Sequence, residues 1–169
     1  MSSDKNIIWA PWRMEYVSSP STSKDKKNIF LDKLGLSDDE SSLILFRGKF
    51  SFVMMNLYPY NNGHLMVAPN HRVEDMQGLD GNTMLEIMNL SSESMKIIKK
   101  VMKPSGFNFG ANIGKAGGAG IEEHLHFHIV PRWDGDTNFM PVVGNTKVIV
   151  QGLADCYNQL KPFFDKLSL

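Results

Sequence analysis

Residues 124–130 read HLHFHIV, so three of the five histidines in the chain stand at strict period two. In a β-strand, residues two positions apart point to the same face of the sheet. We therefore expect a strand over residues 125–131 whose imidazole rings line one surface, while Leu125, Phe127 and Ile129 enter the core. The unperturbed pKa of histidine lies closest to neutrality, so this row suits proton transfer, nucleophilic attack or metal binding.

A glycine-rich loop with the sequence GKAGGAG, residues 114–120, lies just before the histidines. Such a loop can turn its backbone N–H groups toward an anion such as phosphate, because no side chains stand in the way. A loop of this kind that runs into a row of histidines indicates phosphate chemistry with a histidine as the nucleophile. We expect Gly117, Gly118 and Gly120 to contact the substrate.

Together these segments resemble the histidine triad (HIT) family of nucleotidyl hydrolases and transferases. Residues 56–71, NLYPYNNGHLMVAPNH, are similar to the first half of that family's site. The flanking segments WAPWR (residues 9–13) and GDTNFMP (residues 135–141) resemble the branch that contains bacterial diadenosine tetraphosphate phosphorylases and related dinucleotide hydrolases. The resemblance implies cleavage of a nucleotide at its α-phosphorus.

The composition is that of an ordinary globular protein, since 42% of the 169 residues are hydrophobic and 21% are charged. A chain of this length fits one domain with a substantial core. We expect an arm and flexible loop over residues 1–28 and a single HIT domain over residues 29–169. The 18 basic and 18 acidic residues cancel, so no global field would draw the chain to nucleic acid or to an acidic membrane.

The single cysteine, Cys156, excludes an internal disulfide and indicates a reducing compartment. We expect Cys156 to be a buried small side chain rather than a nucleophile. No apolar run approaches the ~20 residues that span a bilayer, and the N-terminus shows no apolar signal region. The expectation is a cytoplasmic protein with no membrane partner.

The remaining patterns indicate an α+β domain built around one long helix. Strands are predicted over residues 42–47, 50–56, 64–69, 107–113 and 125–131, with an acidic turn over residues 38–42. A short helix is predicted over residues 29–34 and a C-terminal helix, disturbed by Pro162, over residues 153–167. The long helix, residues 78–103, is predicted by apolar residues near helical spacing: Met84, Ile87, Met88, Met95, Ile98 and Met102. The resemblance implies a HIT-like fold with a curved antiparallel sheet.

The resemblance also implies a role for each histidine. His126 would attack the α-phosphorus and form a nucleotidyl-histidine intermediate, which divides one difficult displacement into two easier ones. Its attacking ring nitrogen must be unprotonated, and a backbone carbonyl or a neighbouring side chain must hold the other nitrogen. His124 and His128 would hold phosphate oxygens, and His64 would hydrogen-bond within the site. The alternative is that the three triad histidines are simply packed or exposed.

Asn56 ends a predicted strand eight residues before His64. The family places an Asp or Asn there to bind the ribose hydroxyls, and an amide can both accept from one hydroxyl and donate to another. The alternative is an ordinary turn residue at a strand end. Leu57 is expected to wall the base pocket, although apolar residues near a cleft often belong to the core.

Asn112 precedes the glycine loop, where the family often has an amide that contacts the phosphate or the leaving group. Many relatives also have Ser or Thr three residues before the first triad histidine, and here that position is Ile121. One hydrogen bond to the phosphate or the leaving group is therefore missing, which argues against simple transfer of a phosphoramidate-cleaving activity.

A metal site is the rival interpretation of the histidines. Zinc-binding members of the family use a Cys-x-x-Cys pair and two histidines, but the cysteine positions here are Asn28 and Leu31. Only His71 and His124 would remain, and two ligands do not make a structural zinc site. We therefore expect no metal and no required cofactor, because backbone N–H groups and imidazolium rings can meet the charge of the transition state.

The predicted reaction is cleavage of the α-phosphate linkage in a dinucleoside polyphosphate such as diadenosine tri- or tetraphosphate. Water as the acceptor would make the protein a hydrolase, and inorganic phosphate would make it a phosphorylase. The alternatives are an adenosine phosphoramidase, which shares the nucleophile, and a nucleotide-binding module with little turnover. The resemblance further implies a homodimer.

Overall fold

The computed structural model describes residues 29–143 and 148–168. Within these ranges the strands are β1 Ile44–Arg47, β2 Ser51–Met55, β3 Leu65–Pro69, β4 Gly106–Ala111 and β5 Phe127–Arg132. The helices are α1 Ile29–Leu34, α2 Asp39–Ser42, α3 Gly81–Met102, α4 Met140–Val143 and α5 Leu153–Phe164. The expected arm over residues 1–28, with the Asn28 position, lies outside the described residues.

The strands form one antiparallel sheet in the order β1-β2-β3-β5-β4. All five predicted strands are found, each within two residues of its expected ends. One row of paired residues crosses the sheet: Ile44, Met54, Met66, His128 and Gly110. With the long helix α3 and the C-terminal helix α5, the curved sheet confirms the predicted α+β class.

The two faces of the sheet bury different clusters of side chains. Alternate residues such as Val53 and Val67 join α3 and α5 in the main core, which holds Ile87 and Leu160. The intervening residues face the other way and form a smaller cluster with α1: Phe30, Ile44, Phe52, Met54, Met66 and Ala68. This smaller cluster lies on the same face as His128, because Ile44, Met54 and Met66 of the row belong to it.

Helix α3 begins three residues later than predicted because Asp80 caps it. The Asp80 carboxylate accepts from the backbone N–H groups of Asn82 and Thr83, which satisfies donors that the first turn leaves open. The helix ends before Lys103, whose left-handed conformation precedes Pro104. Met88 was expected on the buried face but is 48% exposed, so the apolar stripe is narrower than predicted.

Strand β5 begins at Phe127 rather than at Leu125, so of the three triad histidines only His128 lies within it. The pairing with β3 stops because the partner strand ends at Pro69, which has no N–H to donate. The N–H of Leu125 instead donates to the carbonyl of Val73 at 2.6 Å. The predicted alternation still holds beyond the strand, because Leu125 enters the main core.

Helix α5 covers the main core and carries the single cysteine. Cys156 is buried, as predicted, and burial raises the pKa of its thiol to about 11. The helix ends at Phe164, three residues earlier than expected, and it accommodates Pro162 in its last turn. None of the helices in the described ranges combines the length and the apolar character needed to cross a membrane.

Candidate active site

A pocket of about 210 Å³ opens on the sheet face that carries the smaller cluster. Helix α1 forms one wall, the end of β2 and the loop after it form another, and the end of the glycine loop closes the pocket beside the histidines. The lining residues are Ile29, Phe30, Lys33, Met54, Asn56, Leu57, Tyr58, Tyr60, Met66, Asn112, Gly120, Ile121, His126 and His128.

His126 has the protonation pattern that a nucleophile needs. Its Nδ1 lies 2.8 Å from the backbone carbonyl oxygen of His124, and a carbonyl can only accept, so Nδ1 carries the hydrogen. In the neutral ring this leaves Nε2 with a free lone pair. Burial lowers the pKa of His126, which is 5% exposed, and so favours the neutral form of the ring.

His64 and His128 form a hydrogen-bonded pair with a fixed direction. The backbone N–H of Tyr60 donates to Nδ1 of His64 at 3.0 Å, so that nitrogen must accept. The hydrogen of His64 is therefore on Nε2, which donates to Nδ1 of His128 at 3.0 Å. In the neutral His128 ring the hydrogen must then be on Nε2. The two histidines together present an N–H donor beside the nucleophile.

The rings of His126 and His128 stand edge to face, with centroids 4.8 Å apart. The ring that offers a lone pair and the ring that carries an N–H donor are therefore neighbours in the lining of one pocket. This arrangement can attack an electrophilic phosphorus while it donates a hydrogen bond to an oxygen on that phosphorus. The ring of Phe30, 4.8 Å from the His126 ring, packs against the nucleophile.

His124 lies on the expected face of the sheet beside His126, since both rings pack against Phe30. It is fully buried and is not among the pocket-lining residues, and its Nε2 donates to the carbonyl of Pro69 at 2.9 Å. Burial lowers its pKa to about 4, so the ring is neutral at pH 7. The contribution of His124 seen in the structure is its own carbonyl oxygen, which orients His126. Its expected contact with phosphate stays a prediction.

Asn56 lines the pocket and also shapes the loop after β2. Its side-chain oxygen accepts from the N–H of Tyr58 at 2.9 Å, and its amide nitrogen lies 3.4 Å from Nδ1 of His64. Asn56 therefore makes the turn contact of the alternative interpretation, while its expected contact with the ribose hydroxyls stays a prediction. Leu57 also lines the pocket and is 47% exposed, so it is not a core residue.

The glycine loop, residues 114–120, forms hydrogen bonds within itself, which the sequence did not indicate. The N–H groups of Gly117 and Gly118 donate to carbonyl oxygens of Gly114 and Lys115, so they are not turned toward an anion. Neither glycine lines the pocket, whereas Gly120 does. Asn112 and Ile121 both line the pocket, and their expected position near the phosphate stays a prediction.

The HIT domain profile matches residues 38–135, a range that includes all four histidines of the site. This chain belongs to the HIT domain family. The AP-4-A phosphorylase of Mycobacterium tuberculosis is 42% identical over 154 residues, which cover 88% of this chain and 78% of the relative. The asymmetrical bis(5'-nucleosyl)-tetraphosphatase of Schizosaccharomyces pombe is 30% identical over 95 residues, 56% of this chain and 52% of that protein.

Solved structures agree with the HIT fold. The crystal structure of a hypothetical histidine triad nucleotide-binding protein from Sulfolobus tokodaii superposes with a TM-score of 0.60 at 22% identity. The superposition covers 73% of this chain and 83% of that one. The likeness supports the sheet and helix arrangement described above.

The described part of this HIT chain contains no group of three or more His, Cys, Asp or Glu residues placed to hold a metal ion. His71 is exposed on the loop after β3, whereas His124 is buried against Phe30 with ring centroids 5.0 Å apart. Leu31, at one of the two cysteine positions of zinc-binding relatives, offers no metal ligand. That the HIT chain needs no metal stays a prediction.

Sequence reasoning missed Tyr60, which contributes more to the HIT site than its residue type indicates. Its backbone N–H sets the tautomer of His64, and its ring lies 4.5 Å from the His64 ring and 5.6 Å from the His128 ring. A backbone donor leaves no trace in residue type. The available signal was proximity, since Tyr60 stands four residues before His64. Lys33 was also missed, because a lone lysine on a short helix resembles a solvated one.

Proposed function

We propose that this HIT protein cleaves dinucleoside polyphosphates at the α-phosphorus, with His126 as the nucleophile. The observation that carries the proposal is the hydrogen bond from Nδ1 of His126 to the His124 carbonyl, which leaves Nε2 unprotonated in the pocket. The activities named for the relatives from M. tuberculosis and S. pombe support the substrate class.

In the first step, Nε2 of His126 forms a bond to the α-phosphorus, and the bond from that phosphorus to the bridging oxygen breaks. The leaving polyphosphate keeps the electron pair of the broken bond, so it departs as a nucleotide anion and needs no proton. The Nε2–H of His128 donates to a phosphoryl oxygen and stabilises the charge that develops there. The step requires a neutral His126, which its lowered pKa provides.

In the second step, an acceptor oxygen attacks the same phosphorus and releases His126. We infer that the acceptor is inorganic phosphate, because the M. tuberculosis phosphorylase is similar over most of both chains. Diadenosine tetraphosphate would then give ATP from the first step and ADP from the second. Ile121 has no hydroxyl to offer a nitrogen leaving group, which makes the phosphoramidase alternative weaker.

Three of the residues that line the pocket form a row across the sheet, along which a nucleotide can lie. Met54, Met66 and His128 are paired across three adjacent strands, and strands lie about 4.8 Å apart, so the row spans about 10 Å. We assign the apolar end near Met54 and Leu57 to the base. The ribose would lie beside Asn56, between the base and the histidines.

We propose a homodimer formed through β4. This strand ends the sheet, and Phe109 and Ile113 on and beside it are 39% and 46% exposed. An outer strand with exposed apolar side chains can pair with a second copy of itself. Light scattering coupled to size exclusion should give twice the chain mass, and a monomer at micromolar concentration would contradict the assignment.

The single buried thiol suits the cytoplasm, where we place the protein.

Product analysis with diadenosine tetraphosphate tests the proposed reaction. We expect ADP and ATP only when inorganic phosphate is present. AMP and ATP without phosphate would replace the phosphorylase with a hydrolase, and no turnover in either case would refute the proposed activity.

We expect no metal requirement, so a loss of turnover after dialysis against EDTA would contradict the metal-free mechanism.

A further inference from the structure

The segment GDTNFMP, which has no part in the chemistry above, contains one buried carboxylate outside the pocket lining, that of Asp136. The Asp136 side chain is 7% exposed and accepts from Nε of Arg132 at 2.6 Å and from the N–H of Trp133 at 3.2 Å. A second bond joins the other oxygen of Asp136 to the Arg132 fork at 2.9 Å. The guanidinium holds the pKa of Asp136 well below its usual range, so the carboxylate is ionised.

Asp136 also anchors the loop between β2 and β3, through Asn61. The amide nitrogen of Asn61 donates to the Asp136 carboxylate at 2.8 Å and to the carbonyl of Pro131 at 2.9 Å, so both of its hydrogens are engaged. Asn61 is 8% exposed, which makes a loss of these bonds costly. The backbone carbonyl of Asn61 in turn accepts from the backbone N–H of His64 at 3.2 Å.

This loop sets the hydrogen positions in the histidine pair. The N–H of Tyr60, one residue before Asn61, is the donor that makes Nδ1 of His64 an acceptor. If the loop shifts, His64 can carry its hydrogen on either nitrogen, and the donor at Nε2 of His128 is no longer assured. A continuous series of hydrogen bonds through Asn61 and His64 thus connects Asp136 to His128 in the pocket.

We propose that Asp136 is a positioning residue that, through Asn61, holds the loop so that the Tyr60 N–H fixes the tautomers of His64 and His128. The proposal rests on the proposed function for its catalytic consequence, but the tautomers themselves are independent of substrate. A merely structural Asp136 would affect the stability of the fold and leave the protonated nitrogen of each histidine unchanged.

Asp39 provides a matched control. Its carboxylate accepts from Nε of Arg47 at 2.8 Å and lies 3.5 Å from Nζ of Lys161, so it also joins elements through basic side chains. Asp39 does not line the pocket, and it contacts neither the loop nor a histidine in the bonds described. Replacement of Asp39 by Ala therefore removes a comparable ion pair without touching the proposed connection.

The experiment is ring-nitrogen NMR of protein labelled with ¹⁵N-histidine, without substrate. We expect His64 and His128 to carry hydrogen on Nε2 alone in the natural protein and in Asp39→Ala. In Asp136→Ala and in Asn61→Ala, both rings should show a mixture of tautomers. Asp136→Asn, which keeps an oxygen that can accept from Asn61, should restore much of the single tautomer and also serves if Asp136→Ala fails to fold.

Kinetics with diadenosine tetraphosphate give the second readout. For Asp136→Ala we expect kcat to fall on the order of tenfold or more, because a displaced donor is costly in the transition state, while KM changes by less than about twofold. Unchanged tautomers in folded Asp136→Ala and Asn61→Ala would overturn the proposal. If the natural protein shows no turnover, the proposed function fails, but the tautomers still decide the role of Asp136.

Discussion

Acidification from pH 7 to pH 5 is expected to destabilise the protein through His124. The ring is fully buried, its Nε2–H donates to Pro69, and its Nδ1 has no hydrogen-bond partner among the described residues. A proton on Nδ1 would create a buried charge, and this burial lowers the pKa from its ordinary 6.5 to about 4. Between pH 6.5 and about pH 4, His124 is therefore protonated in the unfolded chain but mostly neutral in the folded protein.

The size of the effect follows from the two pKa values. Stability is fully present above pH 6.5, falls as the pH drops, and stops falling near pH 4, where the folded state also becomes protonated. The whole window corresponds to roughly 3 kcal/mol, and the part between pH 7 and pH 5 to about 2 kcal/mol. Most carboxylates stay ionised at pH 5, so they contribute little over this interval.

Urea unfolding of the natural protein and of His124→Asn at pH 7, 6 and 5 measures this contribution. The asparagine keeps a donor for Pro69 but cannot titrate. We expect the free energy of unfolding to drop by about 2 kcal/mol less in the variant between pH 7 and pH 5. His126 has a lowered pKa too, so the variant keeps part of the dependence. Equal pH dependence in the two proteins would refute the assignment of a neutral buried ring to His124.

Three further predictions follow from other parts of the molecule. The acidic limb of kcat/KM should lie below pH 6.5, because burial lowers the pKa of His126; half-maximal activity at or above pH 6.5 would contradict this. Gly63→Ala should lower the free energy of unfolding in urea by on the order of 1–3 kcal/mol, since Gly63 has φ +69° and an added Cβ would lie 2.7 Å from the sulfur of Met102. An unchanged free energy of unfolding would contradict the loop geometry. Glu86→Ala should lower the free energy of unfolding by about 2–3 kcal/mol, because this carboxylate accepts from two N–H groups of the β1–β2 turn and from the hydroxyl at the start of β2. Glu93→Ala, which removes an exposed ion pair with a lysine, is the control and should change the free energy of unfolding by less than about 1 kcal/mol.

The alternation around His126 was sufficient to predict which side chains share one face of the sheet. Period two depends only on local backbone geometry, so it can be read from a short segment. The same pattern could not show that the strand begins at Phe127, because the limit is set by Pro69 on a partner strand more than fifty residues away.

The tautomers of the site could not be predicted from sequence either. They depend on the N–H of Tyr60 and the carbonyl of His124, which are backbone groups common to nearly every residue type. The contact between Asn61 and Asp136 joins residues 75 positions apart. The sequence marks both as polar residues in loops, and only the folded chain brings them together.

The most direct test of the account is to trap the intermediate on His126. The protein is mixed with diadenosine tetraphosphate in phosphate-free buffer, denatured at alkaline pH to preserve the phosphorus–nitrogen bond, and analysed by mass spectrometry. We expect the natural protein to gain one adenylyl group, located on His126, and His126→Asn to gain none. An adenylyl group on another residue, or undiminished turnover by His126→Asn, would contradict the proposed nucleophile.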